Sequence, residues 1–487
     1  MPPTPFGAPM REHFQLDPNY KNLNHGSFGT HPTQITQTLQ TYQKAADRTP
    51  DAFLRYTQPS ALTTARTTIA AHLNCAPQDL VFVKNATTGI ATILHNLLPS
   101  FSPGDTLIYF STIYGAVENG IFSLLDRVGG GVGLEVRKIE YGFPASHAEI
   151  VGLFRGMIRT IRAEGKRPRI AVFESVVSLP GVRFPFEALI GVCGEEGVWS
   201  CVDAAHGVGM IPLDFGREFG GGGGGGEGTE GAVAGVDFLT SNCHKWLYTP
   251  RSAAILYVKP ALQPLLRTTL PTSWGYIPPP SQSIRPSLMA STSGQSSTKT
   301  PFESLFEFVA TADDTPYLCV PAALDFRREV CGGETAIYAY LEELAVQAAD
   351  LVAEALGTEV LGADLVSSSS SSSSISPGHQ GGENSTRSPW RRCAMNNVRL
   401  PVRVGDSSLT DKKEAQAVVP ADRVPAVVDW MQRRLVEDYG TFVPVFAHAG
   451  WLWVRLSAQV YLDRTDFEWL VPVLKELVGR VEGELLE

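Results

Sequence analysis

The chain has 487 residues, 43% hydrophobic and 18% charged, and its 40 basic and 50 acidic side chains give a net charge of −10. That length suits two or three domains or one large enzyme fold, and the apolar content excludes wholesale disorder. A mildly acidic chain without a basic block argues against nucleic acid or an anionic membrane as a partner.

The N-terminus, Met1-Pro2-Pro3-Thr4-Pro5, has neither a charged n-region nor an apolar h-region, so no signal peptide is expected. No apolar run reaches the ~18 residues that would cross a bilayer. Residues 1–50 are expected to pack against a small C-terminal domain. Residues 51–324 read as a large domain, in which apolar β-rich runs alternate with helical stretches. The runs are Leu80–Val83, Thr106–Phe110, Leu134–Val136, Ile170–Phe173, Ser200–Val202, Phe238–Ser241 and Ala254–Val258. Seven strands, most with room for a helix between them, predict an α/β fold with a mainly parallel sheet covered on both faces. In such sheets ligands bind at the carboxyl ends of the strands, so the residues just after these runs are the ones to inspect. Residues 325–487 read as a smaller α+β domain with an apolar run near Asn397–Val402. Two low-complexity insertions, 220–231 with seven consecutive glycines and 367–389 opening on eight serines, are expected to be surface loops without function. The seven cysteines are scattered and form no CxxC pair, which predicts no disulfide framework, no metal site and a reducing, cytoplasmic setting.

Four places carry chemistry. Asn85-Ala86-Thr87-Thr88-Gly89 lies between a strand and a helical pattern. It is either an ordinary capped helix or a turn whose N–H groups and hydroxyls cradle a phosphate. Asp203 follows a strand in Asp203-Ala204-Ala205-His206, as a helix cap or as a carboxylate facing a protonated pyridine nitrogen, with His206 against the ring or its phenolic oxygen. Lys245 follows another strand in Ser241-Asn242-Cys243-His244-Lys245-Trp246. It is either a solvated surface lysine or, in a desolvated cleft, a free amine able to attack a carbonyl. Arg455 stands in the apolar run Trp451–Tyr461 and needs a partner, either a structural carboxylate or a substrate's.

Together these are the parts of a pyridoxal phosphate enzyme. The order of the four motifs resembles class V aminotransferase-related enzymes of fold type I. Leu23-Asn24-His25-Gly26-Ser27-Phe28-Gly29 is similar to the isopenicillin N epimerase branch. Pro180–Phe186, Thr269–Ser273 and Phe306–Phe308 resemble fungal hercynylcysteine sulfoxide lyases of ergothioneine biosynthesis and, equally, the cysteine-desulfhydrase-like enzymes of the loline-pathway type. The resemblance covers about residues 6–330 and 390–475. It implies the following roles. Lys245 is the covalent anchor of pyridoxal 5'-phosphate, and Asp203 pairs with the ring nitrogen. Ala86, Thr87, Asn242 and His244 lie around the phosphate. Tyr114 covers the ring and assists proton transfer to a leaving group. Arg455 holds the substrate carboxylate, with Asn24 and His25 beside it. Thr311 reaches the phosphate of a second subunit, so a homodimer is expected.

The chain departs from these relatives at Trp274, where they carry histidine, at Tyr276, where they carry phenylalanine, and at His206, which is glutamine in many desulfurase-like members. No cysteine lies on an obvious late loop, where desulfurases keep their persulfide-forming thiol. The implied activity is a carbon–sulfur β-lyase acting on a cysteine conjugate or its sulfoxide. The alternatives are an epimerase, a decarboxylative cyclising or desulfhydrase-like enzyme of fungal secondary metabolism, and a catalytically silent binding homologue.

Overall fold

The computed structural model describes residues 2–128, 133–143, 145–217, 230–278, 299–365, 387–405, 415–481 and 483–484. Most of both low-complexity insertions lies outside them. The seven apolar runs form one sheet: β1 Leu80–Val83, β2 Asp105–Phe110, β3 Glu135–Ile139, β4 Arg167–Glu174, β5 Trp199–Asp203, β6 Phe238–Asn242 and β7 Ala254–Val258. Their spatial order is β1-β7-β6-β5-β4-β2-β3. β2 to β6 pair in parallel, whereas β7 is antiparallel to both β1 and β6. The reversal follows from length: the link from Asn242 to Ala254 is too short for the helical crossover that a parallel pair requires.

β1, β2 and β6 are buried throughout, which explains why they read as continuous apolar runs. Alternate side chains feed two separate cores. Leu80, Phe82, Ile108 and Phe110 join one cluster, and Val81, Val83, Leu107 and Tyr109 the other. Helix α1 (Ala86–Leu97) covers the second face. Gly89 lets it approach: a Cβ there would lie 2.8 Å from Thr240 Cβ on β6.

A four-stranded sheet of order β9-β8-β11-β10 comprises β8 Met395–Val404, β9 Ala417–Val419, β10 Val445–His448 and β11 Trp451–Ser457. The N-terminal segment is hydrogen-bonded to this part of the chain: Gly7 N–H donates to Val460 O, Lys21 N–H to Gly440 O, and Leu23 O accepts from Ser457 N–H. The boundary expected near 325 falls inside helix α2 (Val320–Glu329), which is followed by α3 (Glu334–Leu356). One apolar cluster runs from the large sheet through α2 and α3 into β8 and β11. Within it Arg327, fully buried, donates to Trp246 O (2.8 Å) and Gly209 O (3.0 Å) and meets Glu334 through two nitrogens.

Candidate active site

The carboxyl ends of β4, β5 and β6 deliver three ionisable side chains to one place. In the parallel register Glu174, the last residue of β4, stands opposite Asp203, the last of β5. One strand further, β6 ends at Asn242 and passes into the single helical turn α4 (Cys243–Trp246), which carries Lys245. β6 and α4 meet without a loop, so strand and turn fix the lysine's backbone together. The turn after Asp203 is pinned to β6 by Ser241, whose hydroxyl donates to Ala204 O and accepts from Val208 N–H (2.9 Å). That turn brings His206 Nε2 to 3.3 Å from Lys245 Nζ, while Trp246 Nε1–H donates to His206 Nδ1 (3.2 Å).

Burial dominates the electrostatics. It lowers the Lys245 amine to about 8, against the opposing pull of Asp203 and Glu174. It lowers His206 well below the usual imidazole range, and the cations Lys245 and Arg455 push the same way. It raises the Asp203 carboxyl. It also raises Glu174 well above the carboxylate range, reinforced by the neighbouring Asp203, although the backbone N–H groups of Ser178 and Tyr114 favour its charged form. Asp203 accepts one hydrogen bond, from Ala205 N–H at 2.9 Å, and makes no ion pair within 4 Å among the described residues.

At the start of α1, Asn85 caps Thr88 N–H at 2.8 Å, and Ala86 N–H donates to Asn242 Oδ1 at 2.9 Å. Ala86 N–H is therefore engaged, and Ala86 holds Asn242 to the cradle. Thr87 is exposed, and neither its N–H nor its hydroxyl has a partner among the described residues. His244 lies with Nδ1 2.8 Å from Ala253 O, and burial lowers it to about 4. Gly29 (φ 66°) passes over this turn so closely that a Cβ would fall on His244 O.

Arg455, on β11, is fully buried. Its guanidinium donates to Ser178 O (2.8 Å), Asn24 Oδ1 (2.6 Å) and Ser27 Oγ (3.0 Å), and its Nε has no acceptor. It forms no ion pair among the described residues, and burial lowers it to about 10. Asn24 thus braces Arg455. His25 differs from the expectation that it faces substrate: both ring nitrogens are taken, Nε2 by Lys245 O at 2.6 Å and Nδ1 by Tyr461 Oη at 3.0 Å. It is a neutral brace under the lysine's backbone, lowered to about 4 by burial.

Tyr114 is half-exposed, beside Glu174 through its own backbone N–H. Thr311 is exposed, in a stretch held by Lys84, which donates to Asp313 O (3.0 Å) and Asp314 Oδ1. Trp274 is exposed. Glu174, Ser178 and Trp246 are site residues that sequence reasoning missed. Only the register of β4 against β5 reveals the first, and nothing in the local sequence signals the other two.

These residues fit pyridoxal 5'-phosphate. A protonated ring nitrogen would give buried Asp203 an ion-pair partner, and a phosphate would answer the open donors of Thr87. Arg455 is buried without a carboxylate partner among the described residues. No group of three or more metal-ligating side chains occurs among the described residues.

Comparison with known proteins agrees with this chemistry. The Aminotransferase class-V family model matches residues 31–274. The L-cysteine desulfhydrase-like protein lolT1 of Epichloe uncinata is 37% identical over 99% of this chain and 98% of its own length. Hercynylcysteine sulfoxide lyase of Schizosaccharomyces pombe is 26% identical over 97% of each chain. Among solved structures, the complex of the cystine C–S lyase C-DES with its reaction product cysteine persulfide superposes with a TM-score of 0.63 at 16% identity, over 95% of this chain and 98% of that one. That likeness gives the fold, a large mostly parallel sheet of fold type I. The family model and the whole-length relative together establish that the chain belongs to the class-V aminotransferase family and is a pyridoxal 5'-phosphate-dependent enzyme.

Proposed function

We propose that the protein is a carbon–sulfur β-lyase acting on a cysteine conjugate or its sulfoxide. The observation that carries the reading is the set of proton-handling groups without a thiol. A lysine of lowered basicity sits among Asp203, Glu174 and His206, while all seven cysteines are shielded. Six are buried, the partly buried Cys75 is pushed up to about 12, and burial raises every one. A thiol so held does not form a persulfide-carrying thiolate at neutral pH. Sulfur therefore leaves with the product and is not passed to the enzyme. The desulfhydrase-like and sulfoxide-lyase relatives support the same chemistry.

The bound cofactor supplies an electron sink for the substrate's Cα. Arg455 pairs with the substrate carboxylate and fixes its orientation. Asp203, ionised against the ring cation, sustains that sink. Lys245 Nζ takes the Cα proton, and the Cβ–S bond breaks with its electron pair going to sulfur. Tyr114 Oη delivers a proton to the departing sulfur. Water then converts the three-carbon remainder to pyruvate and ammonia. Thr311 lies in an exposed stretch suited to a second subunit's phosphate, and we place the enzyme as a homodimer in the cytosol. No helix of the described residues is long and apolar enough to cross a membrane.

Incubation with hercynylcysteine sulfoxide and with S-substituted cysteines, scoring pyruvate and sulfur products, tests the proposal. Stoichiometric pyruvate is expected from at least one of them. Inversion at Cα without pyruvate would replace the lyase reading with an epimerase.

A further inference from the structure

Trp246 is fully buried, and among the described residues its indole N–H has a single partner, His206 Nδ1 at 3.2 Å. An indole nitrogen only donates, so Nδ1 must accept there and can carry no proton. A neutral imidazole has one proton, which is then on Nε2, the nitrogen 3.3 Å from Lys245 Nζ. The assignment requires Lys245 to present a lone pair to His206, which the burial of that amine favours. We propose that Trp246 is a positioning residue that locks His206 as a neutral Nε2–H donor aimed at the lysine and at the cofactor atoms that gather round it. The locked ring donates a hydrogen bond and does not act as a base, because protonation at Nδ1 would need the Trp246 bond broken.

The charged groups facing the ring agree. Arg455 opposes an imidazolium, and Lys245, on a different element, does so whenever it carries its proton. Trp246 itself is held rigid. His25 lies at a ring-centroid distance of 5.1 Å, Arg327 caps its backbone carbonyl, and Gly26 leaves room for its ring, with a Cβ there meeting Trp246 Cζ2 at 3.2 Å. The residue after the lysine thereby sets the polarity of a side chain forty positions earlier, on another strand's turn.

Solid-state nitrogen-15 NMR of the sedimented full-length protein, labelled at histidine, tests this in both the cofactor-loaded and stripped forms, with His206→Gln used only to assign the signal. The wild type should show His206 as the Nε2–H tautomer, still uncharged at a pH where a free imidazole has taken its proton. Trp246→Phe keeps the aromatic ring and removes the donor. In a folded, cofactor-loaded Phe variant, His206 should become a mixture of tautomers and gain a proton at a pH at least about one unit higher. The pH profile of kcat/KM should acquire a matching acidic limb, which a purely structural role for the indole would not produce. A wild-type His206 found as the Nδ1–H tautomer or as imidazolium at pH 7 would overturn the proposal, even if the Phe variant fails to fold. A Phe variant with unchanged tautomer and titration would overturn it as well. The tautomer readout needs no substrate, so it stands or falls separately from the lyase reading.

Discussion

Replacing Lys245 by methionine should change how the stability of the cofactor-free protein depends on pH. The folded-state amine sits at about 8 against 10.5 for a free lysine, because burial disfavours its charged form. Between those two values the unfolded chain binds the extra proton, so wild-type stability rises with pH across that window and the burden of the buried ammonium is fully present below about 8. At about 1.4 kcal/mol per pH unit the difference is at most about 3.5 kcal/mol. The lysine keeps a partial opening to solvent, which makes this an upper figure. Methionine has similar length and no charge, so the variant lacks this dependence, while Asp203, Glu174 and the cysteines remain in both proteins. Urea unfolding of the two stripped proteins at pH 7 and pH 10 should show the wild type gaining one to three kcal/mol, roughly, relative to the variant. Parallel pH dependences would refute the argument, since they would mean that the lysine is solvated in the folded state.

Borohydride treatment of the loaded enzyme followed by peptide mapping should place the pyridoxyl group on Lys245, and a label on another lysine would move the site. Asp203→Asn should retain cofactor absorbance while turnover falls at least about a hundredfold, nearly 3 kcal/mol, because an amide cannot keep the ring nitrogen protonated; steady-state rates decide it. Arg455→Met should lower kcat/KM by about a hundredfold or more, chiefly through KM, yet leave the melting temperature unchanged or higher, since it removes a buried cation that has no ionic partner among the described residues. Deleting Gly220–Gly226 should leave kcat/KM within about threefold, since chain length between two elements changes closure entropy only logarithmically. The described flank on one side supports this: Phe215 N–H donates to Leu73 O and its ring packs on Tyr257, which pairs with Leu239 near the start of β6, whereas Lys245 follows that strand's end.

The strands were legible because β1, β2 and β6 are buried on both faces and read as unbroken apolar runs. Lys245 and Asp203 stood out for a similar reason, since each follows such a run directly. Glu174 follows one too, but a glutamate closing a strand reads as a solvated end, and only the pairing of β4 with β5 sets it against Asp203. The antiparallel course of β7 was hidden because an apolar run has no direction; the short link before it carried the clue. His25 was read from its motif as facing a ligand. Its side chain instead spans from Tyr461 to Lys245 O, contacts over 200 positions away that no local pattern encodes.

Arg327 gives the lysine-bearing turn an unusual dependence. The carbonyl of Trp246 and that of Gly209, which end the turns carrying Lys245 and His206, are both capped by one guanidinium that belongs to α2 and is clamped to the first turn of α3. Neither turn has the length to hold itself. Their protection against opening is therefore borrowed from two helices downstream, Arg327 lying 81 positions beyond Trp246 and 118 beyond Gly209, and a fluctuation that frees α2 releases Lys245 with it. Amide exchange at Leu247 should track that of α2 and not that of the adjoining strand, which would make loosening of the Lys245 turn an early event on the route to unfolding and to degradation.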